Sequence, residues 1–107
     1  MALSDDGLIE LLHETAIGVQ VALDQLDDWG PSGAKPGQYQ SDLVADAAAL
    51  AVLGPAGVGI LSEESGLDGG DRDLVVVVDP LDGSTNASRG VPWFATSLCA
   101  VDRDGPR

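Results

Sequence analysis

Val75-Val76-Val77-Val78-Asp79-Pro80-Leu81-Asp82-Gly83-Ser84-Thr85-Asn86 is the stretch on which the reading of this chain turns. Four consecutive valines predict a strand buried on both faces, because β-branching disfavours a helix there. Such a strand delivers Asp79 to its carboxyl end, a common place for catalytic groups in α/β architectures. Pro80 has no amide hydrogen and a fixed φ, so the strand is expected to stop and the chain to turn, bringing Asp82 back beside Asp79. Gly83 lets backbone approach a ligand closely, and Ser84-Thr85-Asn86 has the residue types of a capped helix start. Free amides at such a start favour a phosphate oxygen. Two carboxylates beside an anion site are compatible only with cations between them, which is the logic of Mg²⁺-bridged phosphate binding.

Working upstream, Val58-Gly59-Ile60-Leu61 reads as a short strand that leads into a polar loop, Ser62-Glu63-Glu64-Ser65-Gly66. If the two strands are neighbours, one glutamate reaches the Asp79/Asp82 cluster. Adjacent glutamates alone are usually solvated; their order relative to the aspartate motif gives them weight. Asp68-Gly69-Gly70-Asp71 is a turn between the strands, and a third strand, 94–101, ends in the turn Asp102-Arg103-Asp104-Gly105. The first segment predicts a long amphipathic helix, with Leu8, Leu12, Ala16, Val19, Leu23 and Leu26 at steps of three and four. Ser4 is its N-cap, Asp5 and Asp6 suit its positive end, and Trp29 to Gly33 stop it. A Gly-, Pro-, Ser- and Gln-rich loop fills 30–41, and an alanine-dense helix runs from Asp42 to Leu53 before Gly54-Pro55. Two helices followed by at least three strands define an α+β class, in a pattern that reads as unfinished.

Composition narrows the partners. The 107 residues carry 18 Asp and Glu against 5 Lys and Arg. That balance argues against nucleic acid or an anionic membrane, both of which demand a basic face. No apolar run approaches the ~20 residues of a membrane span, and the acidic start MALSDDGLIELLHE is unlike a secretory leader. The single cysteine, Cys99, reads as a small core residue, and His13 as a surface position of the first helix. A reducing cytoplasm is the expected compartment.

Three rival motifs were weighed. A calcium EF-hand needs oxygens at alternate positions and a glutamate at position twelve, where this chain has Gly90 counting from Asp79. A nucleotide P-loop needs Gly-Lys-Ser/Thr, and the one lysine, Lys35, lies in Ala-Lys-Pro-Gly-Gln. Haloacid dehalogenase-type phosphatases also place an aspartate after an apolar strand, but as D-x-D; the spacing here is D-x-x-D with a proline.

Ile-Leu-Ser-Glu-Glu-Ser-Gly followed by the valine–aspartate stretch resembles the first two metal-binding motifs of the inositol monophosphatase family, which often read G-E-E-S and W-x-D-P-[IL]-D-G-T-x-N. Arg89-Gly90-Val91-Pro92-Trp93-Phe94-Ala95-Thr96-Ser97 resembles the family's G-x-P-x-F-x-x-S segment, and Leu43 to Leu50 its T-x-A-D helix start. The resemblance implies a layered αβαβα sugar-phosphatase-like fold, of which residues 1–107 would be the N-terminal metal- and phosphate-binding part. It implies Mg²⁺, two to three ions with Mn²⁺ as a substitute, ligated by Glu63, Asp79, the Leu81 carbonyl and Asp82. It also implies phosphate contacts from Leu81, Asp82, Gly83 and Ser84. Glu63 and Ser84 would activate the attacking water, with Asp46 supporting the Ser84 hydroxyl.

The implied reaction is direct hydrolysis of a small phosphate monoester, with no covalent phosphoenzyme. The substrate ranges over inositol phosphates, histidinol phosphate, fructose 1,6-bisphosphate and 3′,5′-nucleotide bisphosphates. A homodimer of the full-length parent is compatible with the resemblance. The family's third motif, W-D-x-A-[AG], is absent from this sequence, so residues 1–107 alone are expected to be inactive and prone to self-association. The alternative from a different class is a non-catalytic fragment that binds metal or phosphate.

Overall fold

The computed structural model describes residues 3–107. Helix α1 spans Asp5–Asp24, and Ser4 caps it by accepting the Gly7 amide at 3.1 Å. Its buried face is Leu8, Leu11, Thr15, Val19 and Leu23. Leu12 and Leu26 flank that face as partly buried neighbours of the core. Thr15 is tolerated inside because its hydroxyl donates to the Leu11 carbonyl at 2.8 Å. His13 is exposed, as the sequence suggested.

Helix α2 runs Gln40–Leu53, two residues longer at its start than expected. Asp42 explains the extension: its Oδ2 accepts the Tyr39 amide at 2.8 Å, satisfying a donor that the first turn would otherwise orphan. Ala45, Ala49 and Leu53 are fully buried. Small side chains let α2 lie close to α1; an added Cβ at Gly18 would come 3.3 Å from Val52 Cγ2.

The helices cover one face of a five-stranded mixed sheet built from β1 (Gly59–Ser62), β2 (Gly66–Asp68), β3 (Val75–Asp82), β4 (Ala95–Asp102) and β5 (Gly105–Pro106). The spatial order is β2-β1-β3-β4-β5. β1 and β3 are parallel, whereas β1–β2, β3–β4 and β4–β5 are antiparallel. A short helix, α3 (Ser84–Ser88), follows β3. Ile60, Val76, Val78 and Leu81 meet the helices in one apolar core.

Four expectations need correction. β3 does not stop at Pro80 but continues to Asp82. The β3–β4 register passes from Asp79↔Ser97 to Asp82↔Ala95, so β3 carries one extra residue there. A bulge of this kind accommodates a proline, because the missing amide hydrogen is not required by the ladder. The four valines are not buried on both faces: Val76 and Val78 are, while Val75 is half-buried and Val77 is 36% exposed. Cys99 is exposed rather than in the core, since it pairs with Val77 and shares its outward face. Strand β2, read as a loop, pairs with β1 through Leu61↔Leu67. Leu67, Leu61, Val77 and Cys99 thus form one cross-strand row of exposed side chains.

Gly59 opens β1 with no room for a side chain. An added Cβ would overlap the Gly69 carbonyl oxygen and sit 3.0 Å from Val75 Cγ2. Overpacking of this kind costs about 1–3 kcal/mol, so Gly59→Ala should lower unfolding stability by that order in urea titration. Gly54→Ala, which meets nothing within 4 Å, serves as the silent comparison.

Candidate active site

The last Cα pair of the parallel ladder is Ser62↔Val78, and the Glu63 amide then donates to the Val78 carbonyl at 3.1 Å. One residue further along each chain, Glu63 and Asp79 emerge at the same end of the sheet. Their carboxyls are in hydrogen-bonding contact, and this contact, together with the charge of Asp79, holds the Glu63 carboxyl above the ordinary carboxylate range. Slight desolvation at this exposed position and the charges of Glu64 and Asp42 push it the same way. A negative charge on Glu63 is disfavoured there because a second carboxylate stands beside it.

The turn after β1 is held on both sides. Gln38, itself buried, donates from Nε2 to Glu64 Oε2 at 2.8 Å and accepts the Ser32 hydroxyl at 2.9 Å. Beneath the turn, the buried Ser62 hydroxyl donates to Asp46 of α2. Asp46 therefore sits under Ser62, and its hydrogen-bond partner is that hydroxyl rather than the one on Ser84.

Downstream of Asp79, the Thr96 hydroxyl donates to the Pro80 carbonyl at 2.9 Å and fixes the bulge. Leu81 is buried, Asp82 is exposed at the strand end, and Ser84 is half-buried at the start of α3. Gly83, not a hydroxyl residue, is the N-cap of α3, with φ of 86°. A Cβ there would lie 2.9 Å from the Trp93 carbonyl oxygen, so both conformation and space require glycine. Asn86 Nδ2 donates to that same carbonyl at 3.0 Å and ties the motif to the segment that follows. The Tyr39 phenol lies against Thr85 and Ser88, whose hydrogen bonds, with the charge of Arg89, lower its pKa. That contact joins the start of α2 to α3.

The structure thus brings Glu63 and Asp79 together. Asp82 does not complete a group of three carboxylate, histidine or cysteine side chains among the described residues. Asp42 is a site neighbour that the sequence reading missed: it is buried, and its charge acts on Glu63. Its signal was the helix start itself, because an aspartate in the first turn of α2 faces the same end of the sheet as the strand termini. The donor set fits a hard divalent cation. It is all oxygen, and two of its carboxyls are held in a contact that a cation would relieve.

The sequence model of the inositol monophosphatase family matches residues 41–107. The chain is 48% identical over 59 residues to a fructose-1,6-bisphosphatase/inositol-1-monophosphatase of Archaeoglobus fulgidus, covering 55% of this chain and 23% of that protein. It is 44% identical over 75 residues to an inositol-1-monophosphatase of Mesorhizobium japonicum, covering 65% of this chain and 28% of the relative. The inositol monophosphatase structure from Anabaena superposes with a TM-score of 0.75 at 25% identity, covering 95% of this chain and 38% of that one. This chain belongs to the inositol monophosphatase family, and its α+β architecture is that family's. It spans about a quarter of the length of these two curated relatives. Family membership sets the haloacid dehalogenase-type reading aside.

The raised Glu63 pKa has a signed consequence. Below the unfolded value, 4.5, Glu63 is protonated in both states and carries no penalty. As pH rises through the elevated folded value, the folded state must accept a second negative charge beside Asp79 and loses stability. Glu63→Gln should therefore raise the melting temperature of the metal-free chain at pH 7. The gain should vanish as pH falls below 4.5. Thermal melts across pH check both halves.

Proposed function

We propose that residues 1–107 form the N-terminal metal- and phosphate-binding part of a phosphoric monoester hydrolase. In this reading the whole protein hydrolyses a small phosphate monoester of the inositol-phosphate type with Mg²⁺, Mn²⁺ serving as a substitute. The observation that carries the reading is the Glu63–Asp79 contact at the shared end of two parallel strands. Glu63, Asp79, the Leu81 carbonyl and Asp82 would hold the ions. Bound there, the metal would supply Lewis acidity that lowers the pKa of a water and neutralises phosphate charge.

The remaining steps belong to the chain. Glu63, just past the end of β1 and beside Asp79, accepts a proton from the attacking water. The Ser84 hydroxyl, one residue past Gly83, orients that water. Backbone from Leu81 to Ser84 receives the phosphate, and the bare Cα of Gly83 lets the oxygens approach. Asp42 and Asp46 act behind Glu63, the first through its charge and the second through the turn that carries it.

The names of the relatives include both fructose-1,6-bisphosphatase and inositol-1-monophosphatase. They support a small polyol or sugar phosphate as substrate. A chain with formal net charge −13 is a poor partner for nucleic acid or an anionic membrane. None of the described helices is long and apolar enough to cross a membrane. A cytoplasmic location and a homodimer of the full-length protein are parts of this proposal that rest on the sequence and the family resemblance alone.

The deciding experiment is phosphate release from inositol 1-phosphate and fructose 1,6-bisphosphate by the full-length protein, with Mg²⁺ and with EDTA. Turnover should require the metal. Asp79→Asn should lower it by more than the 10–100-fold typical of changes behind a metal ligand. Near-normal turnover in Asp79→Asn sinks the assignment. Metal binding without any phosphate release would favour the non-catalytic reading.

A further inference from the structure

Ser62 ends β1 immediately before Glu63 and is 3% exposed. Its hydroxyl donates to the Asp46 carboxylate and accepts the amides of Glu64 at 3.1 Å and Ser65 at 3.4 Å. A hydroxyl has one proton to give and two lone pairs to receive with. All three are used here, so the direction of the proton is set by Asp46 and the lone pairs are left facing the turn. The two amides that follow Glu63 in the turn are therefore gathered on one oxygen, and one carboxylate orients that oxygen.

Asp46 is a costly residue to place where it is. It is 7% exposed, on a helix whose other inward positions include Ala45, Ala49 and Leu53. A carboxylate withdrawn from water is destabilising unless it is well paired. The ion pairs among the described residues, Arg103–Asp73 and Arg107–Asp5, do not involve it. An alanine or leucine would continue the apolar face of α2 without that cost. What the carboxylate adds is a grip on Ser62. Asp42, four residues earlier on the same face, acts on Glu63 through its charge, so the helix addresses the turn twice.

The geometry points to Asp46 and Ser62 as a positioning pair for metal binding: together they fix the turn that holds the Glu63 carboxylate against Asp79. The inference rests on the proposed function and assigns Asp46 a different partner from the one the family resemblance implied. Gln38 assists from above by engaging Glu64, which leaves Glu63 to face Asp79. Hydrogen-bond partners behind metal ligands typically control about 10–100-fold in metal affinity, and a loss of that size is expected here.

The test is Mn²⁺ binding to the purified full-length protein, read by the electron paramagnetic resonance of free Mn²⁺, alongside metal-free thermal melts. Ser62→Ala and Asp46→Ala should each weaken binding by about tenfold or more. Ser62→Thr, which restores the hydroxyl, should recover the affinity. Asp46→Asn keeps the shape and an acceptor oxygen, so it provides a folded variant with an intermediate loss. Glu63→Gln should abolish binding and leave the free Mn²⁺ signal at full height. A purely structural pair would lower the melting temperature while folded variants kept wild-type affinity; that result, with Glu63→Gln still dead, overturns this inference alone. A wild-type chain that binds no Mn²⁺, or binding that survives Glu63→Gln, overturns the functional reading and the inference with it.

Discussion

Strands that run in the same direction finish at the same end of a sheet, and the parallel pairing of β1 with β3 turns that geometric fact into a site. Ser62↔Val78 is the last rung, and the next residue on each chain is an acid. The pairing is held by the burial of Ile60, Val76 and Val78 against the helices. A one-residue slip of β1 would turn its buried face outward and separate Glu63 from Asp79. Core packing and site geometry are consequently the same specification. The antiparallel neighbours, β2 and β4, extend the sheet without contributing to that juxtaposition.

The site end of the molecule is left electrostatically uncompensated. Ion pairs among the described residues lie elsewhere, at Arg103–Asp73 and Arg107–Asp5, on exposed side chains that contribute little to stability. At the strand ends, Asp79, Glu64 and Asp42 all act on Glu63, with no arginine or lysine among the influences on it. The protein relieves part of this by hydrogen bonding: Asp42 takes a backbone amide and Glu64 takes Gln38. The Glu63–Asp79 contact remains, and only a proton or a cation resolves it.

Most of the architecture was legible because it depends on local signals. Ser4, the leucine steps of α1, the alanines of α2 and the turn at Asp102–Gly105 all act within a few residues of themselves. What was not legible depended on partners. Pro80 reads as a stop, yet β4 offers it a bulge where no amide is needed. Val77 and Cys99 read as core, yet their exposure is decided by whether anything lies on the far face of the sheet. At the site, Glu63 and Asp79 could be foreseen from strand order. The family resemblance points to Asp46 beside the Ser84 hydroxyl and is silent on Asp42, because two acids four residues apart on a helix cannot be distinguished until the strand beneath them is placed.

The segment between the two long helices has a closed base. Pro31 and Tyr39 bridge, and the Ser32 amide donates to the Gln38 carbonyl at 2.9 Å, so the loop tip from Gly33 to Gly37 lies outside that clasp. Tip residues can therefore be added or removed without altering the angle between α1 and α2 or the reach of Gln38 to Glu64. Doubling a flexible loop costs only about 0.6 kcal/mol in closure entropy. The tip is thus a place where descendants of this sequence could diverge in length while the acidic corner beside it stayed unchanged.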